Sequence, residues 1–152
     1  MNLEKGNATL MSPSEWEVMR IIWTKQGASS TEVIRLMQLK REWSESTIKT
    51  LLGRLVDKKM LQTIKDGRRF FYRPTVTESD AMNKVASELF DHLCNMKKGG
   101  VIINLLSDLT LSRADIERMQ LLLSEKLKTA PVSINCDCLP TDEDCTMHKK
   151  SC

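Results

Sequence analysis

Two adjoining segments decide the fold: Ser44-Glu-Ser-Thr-Ile-Lys-Thr-Leu-Leu-Gly-Arg-Leu-Val56 and Leu61-Gln-Thr-Ile-Lys-Asp-Gly-Arg-Arg-Phe-Phe-Tyr-Arg-Pro74. In the first, apolar residues recur at positions i, i+3, i+4, i+7 and i+8 from Ile48, which predicts an amphipathic helix that begins near Ser44. In the second, two short runs with strand character flank Asp66-Gly67, a strong hairpin signal because both turn residues tolerate positive φ. Pro74 ends the second strand.

Two further helices precede this pair. Ser12-Pro-Ser-Glu15 has the spacing of a capping box with proline at the first helical position, and it predicts a helix that stops at Gln26-Gly27. A second, shorter helix should start near Ser29, with Glu32 three residues further on. Three short helices followed by a hairpin predict a winged helix-turn-helix over residues 1–75, so the fold class is mainly α with a small β-hairpin wing.

Downstream of Thr77 the pattern is helical again. An apolar stripe from Ala81 to Leu93 is broken at 97–100, an apolar segment spans 101–109, and Ser112-Arg-Ala-Asp115 resembles a capping box that opens a last helix. Small units bury too little of their surface to be stable alone. Residues 76–129 are therefore predicted to be a helical dimerisation region whose apolar faces pack against a second copy, giving a homodimer. The alternative is that they fold back onto the first domain.

Composition places the chain among globular proteins. It has 152 residues, of which 41% are hydrophobic and 28% charged, enough to fill a core. No apolar run approaches the roughly 20 residues that span a membrane, and the first ten residues lack a secretory apolar stretch. We expect a cytoplasmic protein with no membrane association.

Positive charge is concentrated in one part of the chain. The net charge is +3, but residues 40–73 hold ten Lys/Arg and four Asp/Glu, so this segment carries +6 and the remainder about −3. Such a basic module is typical of a surface that meets phosphates, although an ordinary solvated face has the same charge.

Opposite its apolar stripe, the helix from Ser44 presents small, hydroxylated and cationic residues. This mixture can hydrogen-bond phosphates and base edges, and it predicts DNA contacts from Ser46, Thr47, Lys49, Thr50 and Arg54. Gly53 lies on the same face and suggests close approach by another surface. At the hairpin, Lys65, Arg68 and Arg69 are predicted phosphate contacts, whereas the aromatic run Phe70–Tyr72 is expected to pack.

The last segment, 130–152, carries thiols among polar residues. Its candidate metal ligands are Cys136, Cys138, Cys145, Cys152 and His148. Thiolates suit Cu(I) and Zn²⁺, and in an extended chain the side chains of Cys136 and Cys138 point the same way, so both sulfurs can reach one ion. An incidental cysteine-bearing tail is the alternative. Cys94, beside the stripe of the fourth helix, is expected to be an inert packing residue.

An enzyme is the weakest interpretation. The two histidines, His92 and His148, lie in no nucleophile elbow, no His-Glu-x-x-His helix and no glycine-rich phosphate loop. The carboxylates are expected to be caps and surface charges.

Three segments together resemble the penicillinase-repressor family: Ser12-Pro-Ser-Glu-Trp-Glu-Val-Met-Arg-Ile-Ile-Trp23, Trp43–Val56 and Lys65–Pro74. The resemblance runs from about Ser12 to Leu127. It implies a dimeric winged-helix repressor that binds operator DNA, an inverted repeat of TACA and TGTA half-sites. Thr47, Lys49 and Thr50 would read the groove, while Arg54 and the wing would hold the backbone.

Within that family, the thiol tail is similar to that of the copper-transport repressors. Those proteins carry Cys-x-Cys-x4-Cys-x-Cys, of which this chain keeps only the first pair; the second half of the site is either Cys145 with Cys152 or Cys145 with His148. The resemblance implies that a Zn²⁺-loaded dimer binds DNA, that Cu(I) displaces zinc and releases the operator of copper-transport genes, and that a copper chaperone is a further partner.

Two alternatives remain open. A β-lactam-responsive repressor of the same family would be inactivated by proteolysis near Asn104-Leu105, where this chain departs from the Asn-Phe pair that the family cleaves. A metal-storage or carrier protein would need the thiol tail but neither the basic hairpin nor the recognition face.

Overall fold

The computed structural model describes residues 6–140, so Cys145, His148 and Cys152 lie outside the described residues. The helices are α1 Pro13–Lys25, α2 Ser30–Lys40, α3 Glu45–Asp57, α4 Glu78–Asp91, α5 Lys98–Asp108 and α6 Arg113–Leu127. The strands are β1 Ala28–Ser29, β2 Leu61–Asp66 and β3 Arg69–Pro74. The chain divides into two compact units between Leu89 and Phe90.

The predicted helix starts are confirmed by their caps. The Ser12 hydroxyl accepts the Glu15 N–H at 3.3 Å, while the Glu15 carboxylate accepts the Ser12 N–H at 2.7 Å, which closes the capping box. Ser29, Ser44 and Ser112 cap α2, α3 and α6 in the same way, each accepting the N–H three residues on.

The small sheet is antiparallel, with strand order β1-β3-β2. Asp66 pairs with Arg69, so the two-residue turn is Gly67-Arg68, one residue later than predicted. Gly67 has φ +60° and Arg68 does not have a positive φ, the pattern of a turn that demands glycine only at its first central position. The two-residue strand β1 was not predicted.

The core of the first unit lies between α1, α2, α3 and the sheet. Its largest fully buried apolar side chains are Met19, Ile22, Met37, Ile48, Leu52, Leu55 and Met60. Residues beyond the hairpin also belong to it: the Trp23 indole donates to the Val76 carbonyl at 2.8 Å, and Ala81 of α4 is 2% exposed. This unit therefore extends through most of α4. The predicted division at residue 75, between a DNA-binding domain and a dimerisation region, stays a prediction.

The second unit has no fully buried side chain in α5 or α6. Large apolar residues are instead exposed on both helices, at Ile102, Ile103, Leu105, Ile116, Leu121, Leu122, Leu123 and Leu127. Burial of apolar surface is the main stabilising contribution to a fold. The two helices thus display the kind of surface that a further partner would cover.

One buried carboxylate, at the start of α1, pairs with a lysine just after α3. Glu15 is 1% exposed, and its Oε2 accepts from the Lys58 ammonium at 2.7 Å; Lys58 also donates to the Leu10 carbonyl. Burial raises the pKa of the Glu15 carboxyl, but the hydrogen bonds from Lys58 and Ser12 outweigh it, so the pKa lies below its usual value.

We expect Lys58→Met to destabilise the protein by about 2–3 kcal/mol, less than a fully buried pair costs, because Lys58 is 31% exposed. Since the folded Glu15 pKa is lowered, the pair stabilises the protein above the unfolded pKa, and this contribution disappears as pH falls through the folded pKa. Urea unfolding at fixed protein concentration measures the free energy of unfolding of the parent protein and of Lys58→Met. The difference between these two free energies should shrink below about pH 4.

A matched control is Lys25→Met, which removes an exposed ion pair with Glu32 and should change the unfolding free energy by less than about 1 kcal/mol. Equal effects of the two lysine substitutions would contradict the special role of the buried pair.

Candidate nucleic-acid interface and thiol cluster

Helix α3 has a buried and an exposed face, as its periodicity predicts. Ile48, Leu51, Leu52 and Leu55 are buried, and the opposite residues are all exposed: Ser46, Thr47, Lys49, Thr50, Gly53 and Arg54. Because the buried stripe fixes the rotation of the helix, these six residues are held outward together.

Hydrogen bonds order the hydroxyls at the start of α3. The Ser44 Oγ lies 2.9 Å from both the Ser46 Oγ and the Thr47 Oγ1, and it also accepts the Thr47 N–H. The Thr50 hydroxyl donates to the Ser46 carbonyl at 2.9 Å. The first turn of α3 therefore presents a connected row of hydroxyl groups beside N–H groups at the positive end of the helix dipole.

Lys49 does not carry an isolated charge. Its ammonium lies 2.5 Å from the Glu45 carboxylate, and both side chains are more than half exposed. Such a pair contributes little to stability in water and can exchange partners when a phosphate approaches. Burial raises the pKa of the half-buried Tyr72, and the positive charge of Lys49 opposes this shift.

The remaining cations of the predicted DNA surface are exposed at Arg54 of α3 and at the hairpin. Lys65 pairs in register with Phe70, Arg69 with Asp66, and Arg68 lies in the turn. Within residues 6–140, no carboxylate forms an ion pair with Arg54, Lys65, Arg68 or Arg69. These four charges are available to an external anion.

The aromatic run on β3 divides between packing and exposure. Tyr72 packs against the core and Phe71 is half-buried, with its ring 2.7 Å from the position that a Cβ on Gly27 would occupy. Gly27 also has φ +114°, so both its backbone and its surroundings require glycine. Phe70 is 48% exposed.

Three thiols gather in the second unit. The sulfurs of Cys94, Cys136 and Cys138 all lie within 4.8 Å of one another, and those of Cys94 and Cys136 are 3.7 Å apart, far beyond a disulfide bond. Cys94 and Cys136 are half-buried, while Cys138 is exposed. The prediction that Cys136 and Cys138 reach one ion is compatible with this arrangement.

Backbone contacts hold the cluster in place. The Cys138 N–H donates to the Cys136 sulfur at 3.4 Å, and the Asn95 N–H donates to the Asp137 carboxylate at 2.8 Å. The tail is thus attached to the turn before α5 at two successive residues, Cys136 through its thiol and Asp137 through its carboxylate.

Crowding also lowers the acidity of the Cys138 thiol. Hydrogen bonding to Cys136 first and Cys94 second, followed by burial and mutual repulsion, raises the pKa of Cys138 to about 12. Three adjacent thiolates repel one another unless a cation lies between them.

The donor set fits a soft metal ion. Two sulfurs bound tetrahedrally to zinc at about 2.3 Å each lie about 3.8 Å apart, close to the Cys94–Cys136 separation. Zinc would need a fourth N or S ligand beyond these three, whereas Cu(I) is satisfied by fewer thiolates.

Cys94 was expected to be an inert packing residue, but the structure places its thiol beside those of Cys136 and Cys138. The Cys94 thiol lies close to the thiols of Cys136 and Cys138, which are 42 and 44 positions away in the sequence. No rule of sequence spacing predicts such a contact. The sequence offered one signal for this proximity: Cys94 lies just after the predicted fourth helix, in a chain that has four further cysteines.

No helix within residues 6–140 is long and apolar enough to cross a membrane.

The chain is similar in sequence to known repressor and regulatory proteins. Residues 11–125 match the family model described as penicillinase repressor. A protein of Latilactobacillus sakei described as an uncharacterized 16.5 kDa protein in the ptsI 3′ region is 50% identical over 139 residues, covering 91% of this chain and 95% of that protein. The methicillin resistance regulatory protein MecI of Mammaliicoccus sciuri is 34% identical over 116 residues, covering 76% and 94%.

A solved structure of the CopR repressor is 48% identical to the part it matches, which covers 43% of this chain and 96% of that chain, with a TM-score of 0.39.

Proposed function

We propose that copper is the signal for this chain, which belongs to the penicillinase repressor family of winged-helix transcriptional repressors. A homodimer binds an inverted-repeat operator in the cytoplasm, with Zn²⁺ at the tail. Cu(I) binding to the tail thiolates releases the operator, so copper-transport genes are transcribed; a copper chaperone is a candidate donor of the ion.

The thiol cluster is the observation that carries the copper proposal. The family match ends at residue 125, so Cys136 and Cys138 lie beyond the segment that matches the family model. A repressor gains a new input when an added segment binds a new ligand, and two clustered thiols select soft ions such as Cu(I) and Zn²⁺ over hard ones.

DNA binding is proposed to use the exposed face of α3 and the hairpin. Ser46, Thr47, Lys49 and Thr50 would contact base edges and phosphates, and Arg54, Lys65, Arg68 and Arg69 would contact the backbone. The exposure of all eight side chains supports this assignment, as does the absence of intrachain ion pairs, within residues 6–140, for the last four.

Dimerisation is proposed to use the exposed apolar residues of α5 and α6, which a second copy would cover. A two-fold dimer places two copies of α3 on the two halves of a palindrome, which doubles the contacts that a single winged helix makes.

The test of DNA binding compares operator with scrambled DNA over a range of salt concentrations. Arg68→Ala should weaken both and lower the slope of log affinity against log salt by about one. Lys49→Ala should weaken the operator more than the scrambled DNA, by an amount equivalent to about 1–3 kcal/mol. Unchanged operator affinity in a folded Lys49→Ala dimer would show that α3 does not read the groove.

Gly53→Ala should separate protein stability from DNA affinity. An added Cβ meets nothing within 4 Å, so the substitution should stabilise the helix by about 1 kcal/mol. If DNA packs closely on this face, the same methyl should weaken operator binding by roughly 5- to 150-fold, the equivalent of about 1–3 kcal/mol for an overpacked contact. Urea unfolding and fluorescence anisotropy measure the two effects.

Gly99→Ala in α5 is the matched control, because a Cβ there also meets open space. It should leave the affinity for a half-operator unchanged, because binding to a single half-site does not depend on the dimer helices, whereas Gly53→Ala should weaken it. Full affinity in Gly53→Ala would contradict close approach at α3.

The β-lactam-responsive alternative is favoured by the 34% identity to MecI. The bond between Asn104 and Leu105 that it would require to be cleaved lies within α5, and Leu105 is 46% exposed. A stable full-length chain under copper-induced release would argue against this alternative; cleavage at that bond upon derepression would favour it. A metal carrier is tested by the same DNA titrations, since a carrier would not discriminate operator from scrambled DNA.

A further inference from the structure

We propose that Cys94 is a metal ligand, and that Cu(I) bound by Cys94, Cys136 and Cys138 ties the two ends of the α5–α6 segment together. This inference rests on the proposed copper response and names the site and route through which it acts.

The geometry brings these sulfurs together from two distant segments. Cys94 lies just before the short turn Asn95–Lys97 that leads into α5, whereas Cys136 and Cys138 follow α6. The Cys94 and Cys136 sulfurs, 42 residues apart in sequence, are 3.7 Å apart in space. The three thiols lie within 4.8 Å, which is near enough for one ion to contact all of them after small side-chain rotations.

A second contact positions the same two segments without involving sulfur. The Asn95 N–H donates to the Asp137 carboxylate, and the Asn95 side chain accepts from Lys98 at the start of α5. Residues 94–95 and 136–137 are therefore joined side by side before any metal binds. Such preorganisation lowers the ordering cost of a metal site.

The loop closed by this site contains α5 and α6 completely. These helices expose the apolar residues proposed to form the dimer. An ion bound by Cys94 and the tail cross-links the loop at its base and restricts the arrangement of its two helices. Because operator binding depends on the spacing of two DNA-binding domains, a change in the dimer helices alters operator affinity. Copper binding at the tail can thereby act at a distance from α3.

The chemistry is a ligand exchange without oxidation. In the metal-free chain each thiol that binds Cu(I) loses its proton to solvent, a sulfur lone pair forms the bond to the ion, and the chelator or solvent ligand that held Cu(I) leaves. In the zinc-loaded chain the sulfurs are already thiolates, and Zn²⁺ leaves to solvent as Cu(I) takes its place. A Cys136-x-Cys138 pair alone supplies two sulfurs on one flexible segment, whereas Cys94 supplies a third from the structured turn before α5.

The test is an anaerobic titration of the full-length chain with Cu(I) alone. X-ray absorption should count three sulfurs per copper in the parent and two in Cys94→Ser. Competition with a chromophoric chelator should show a Cu(I) dissociation constant raised by at least about tenfold. The matched control is the double variant Cys145→Ser, Cys152→Ser, which should keep three sulfurs if Cys94 is the third ligand.

A measurement on the parent protein removes any dependence on how the variant folds. Pulsed alkylation with iodoacetamide, read by mass spectrometry, should modify Cys94 in the metal-free chain and leave it protected with one equivalent of Cu(I). Equal alkylation of Cys94 with and without copper, together with three sulfurs in Cys94→Ser, would overturn the proposal. If copper protects Cys94 but the operator stays bound, the three-thiol site stands and the copper-responsive function is what fails.

Discussion

Cu(I) should no longer release the operator from a Cys136→Ser, Cys138→Ser double variant. These residues supply two of the three clustered thiols, and hydroxyls are poor ligands for a soft ion. Of the clustered thiols only Cys94 remains, and the two other tail thiols, Cys145 and Cys152, are too far apart in sequence to replace the Cys136-x-Cys138 pair. The response should be lost completely rather than reduced.

The control for this variant is its affinity for DNA without copper. The exposed residues of α3 and the hairpin lie in the first compact unit, and the two cysteines lie in the second. The metal-free double variant should therefore bind operator as the parent does, as measured by fluorescence anisotropy. Release by copper with parental efficiency would show that the tail thiols are not the sensor.

A fragment ending at Leu89 should bind the operator about 10²–10⁴-fold more weakly than the full chain. It keeps the buried core, including Ala81 and the Trp23–Val76 hydrogen bond, so it should fold. It lacks the exposed apolar residues of α5 and α6 and should be a monomer. Without a tethered second copy, each half-site is bound independently, and the gain from high local concentration disappears.

Sedimentation and anisotropy together test this expectation. The fragment should sediment as a monomer and should bind a half-operator nearly as well as the complete palindrome. A dimeric fragment, or parental affinity for the palindrome, would contradict the dimerisation role of α5 and α6.

Local signals in the sequence were sufficient for much of the first unit. The serine caps at residues 12, 29 and 44 were predictable because a capping bond joins residues three apart. The stripe from Ile48 to Leu55 fixed the exposed face of α3 for a similar reason. Two details depended on more than the local pattern. Strand β1 has two residues and is too short to show a period. The hairpin turn lies one residue later than predicted, since Asp66 pairs with Arg69 in the sheet.

The second unit was less predictable. Residues 101–109 were recognised only as an apolar segment, because Gly99 and Gly100 suggested a break where α5 in fact begins. The proximity of Cys94 to Cys136 joins residues 42 positions apart, and the sequence alone has no rule for such a contact. Cys136 and Cys138 were found because their ligand spacing is local.

The central claim is that this repressor leaves its operator when Cu(I) occupies the tail thiols. The most direct test is an anaerobic Cu(I) titration of the full-length chain bound to fluorescent operator DNA, with anisotropy and copper occupancy followed together. We expect the anisotropy to fall to that of free DNA as copper fills the thiol site. Operator that stays bound after the site is saturated with copper would contradict it.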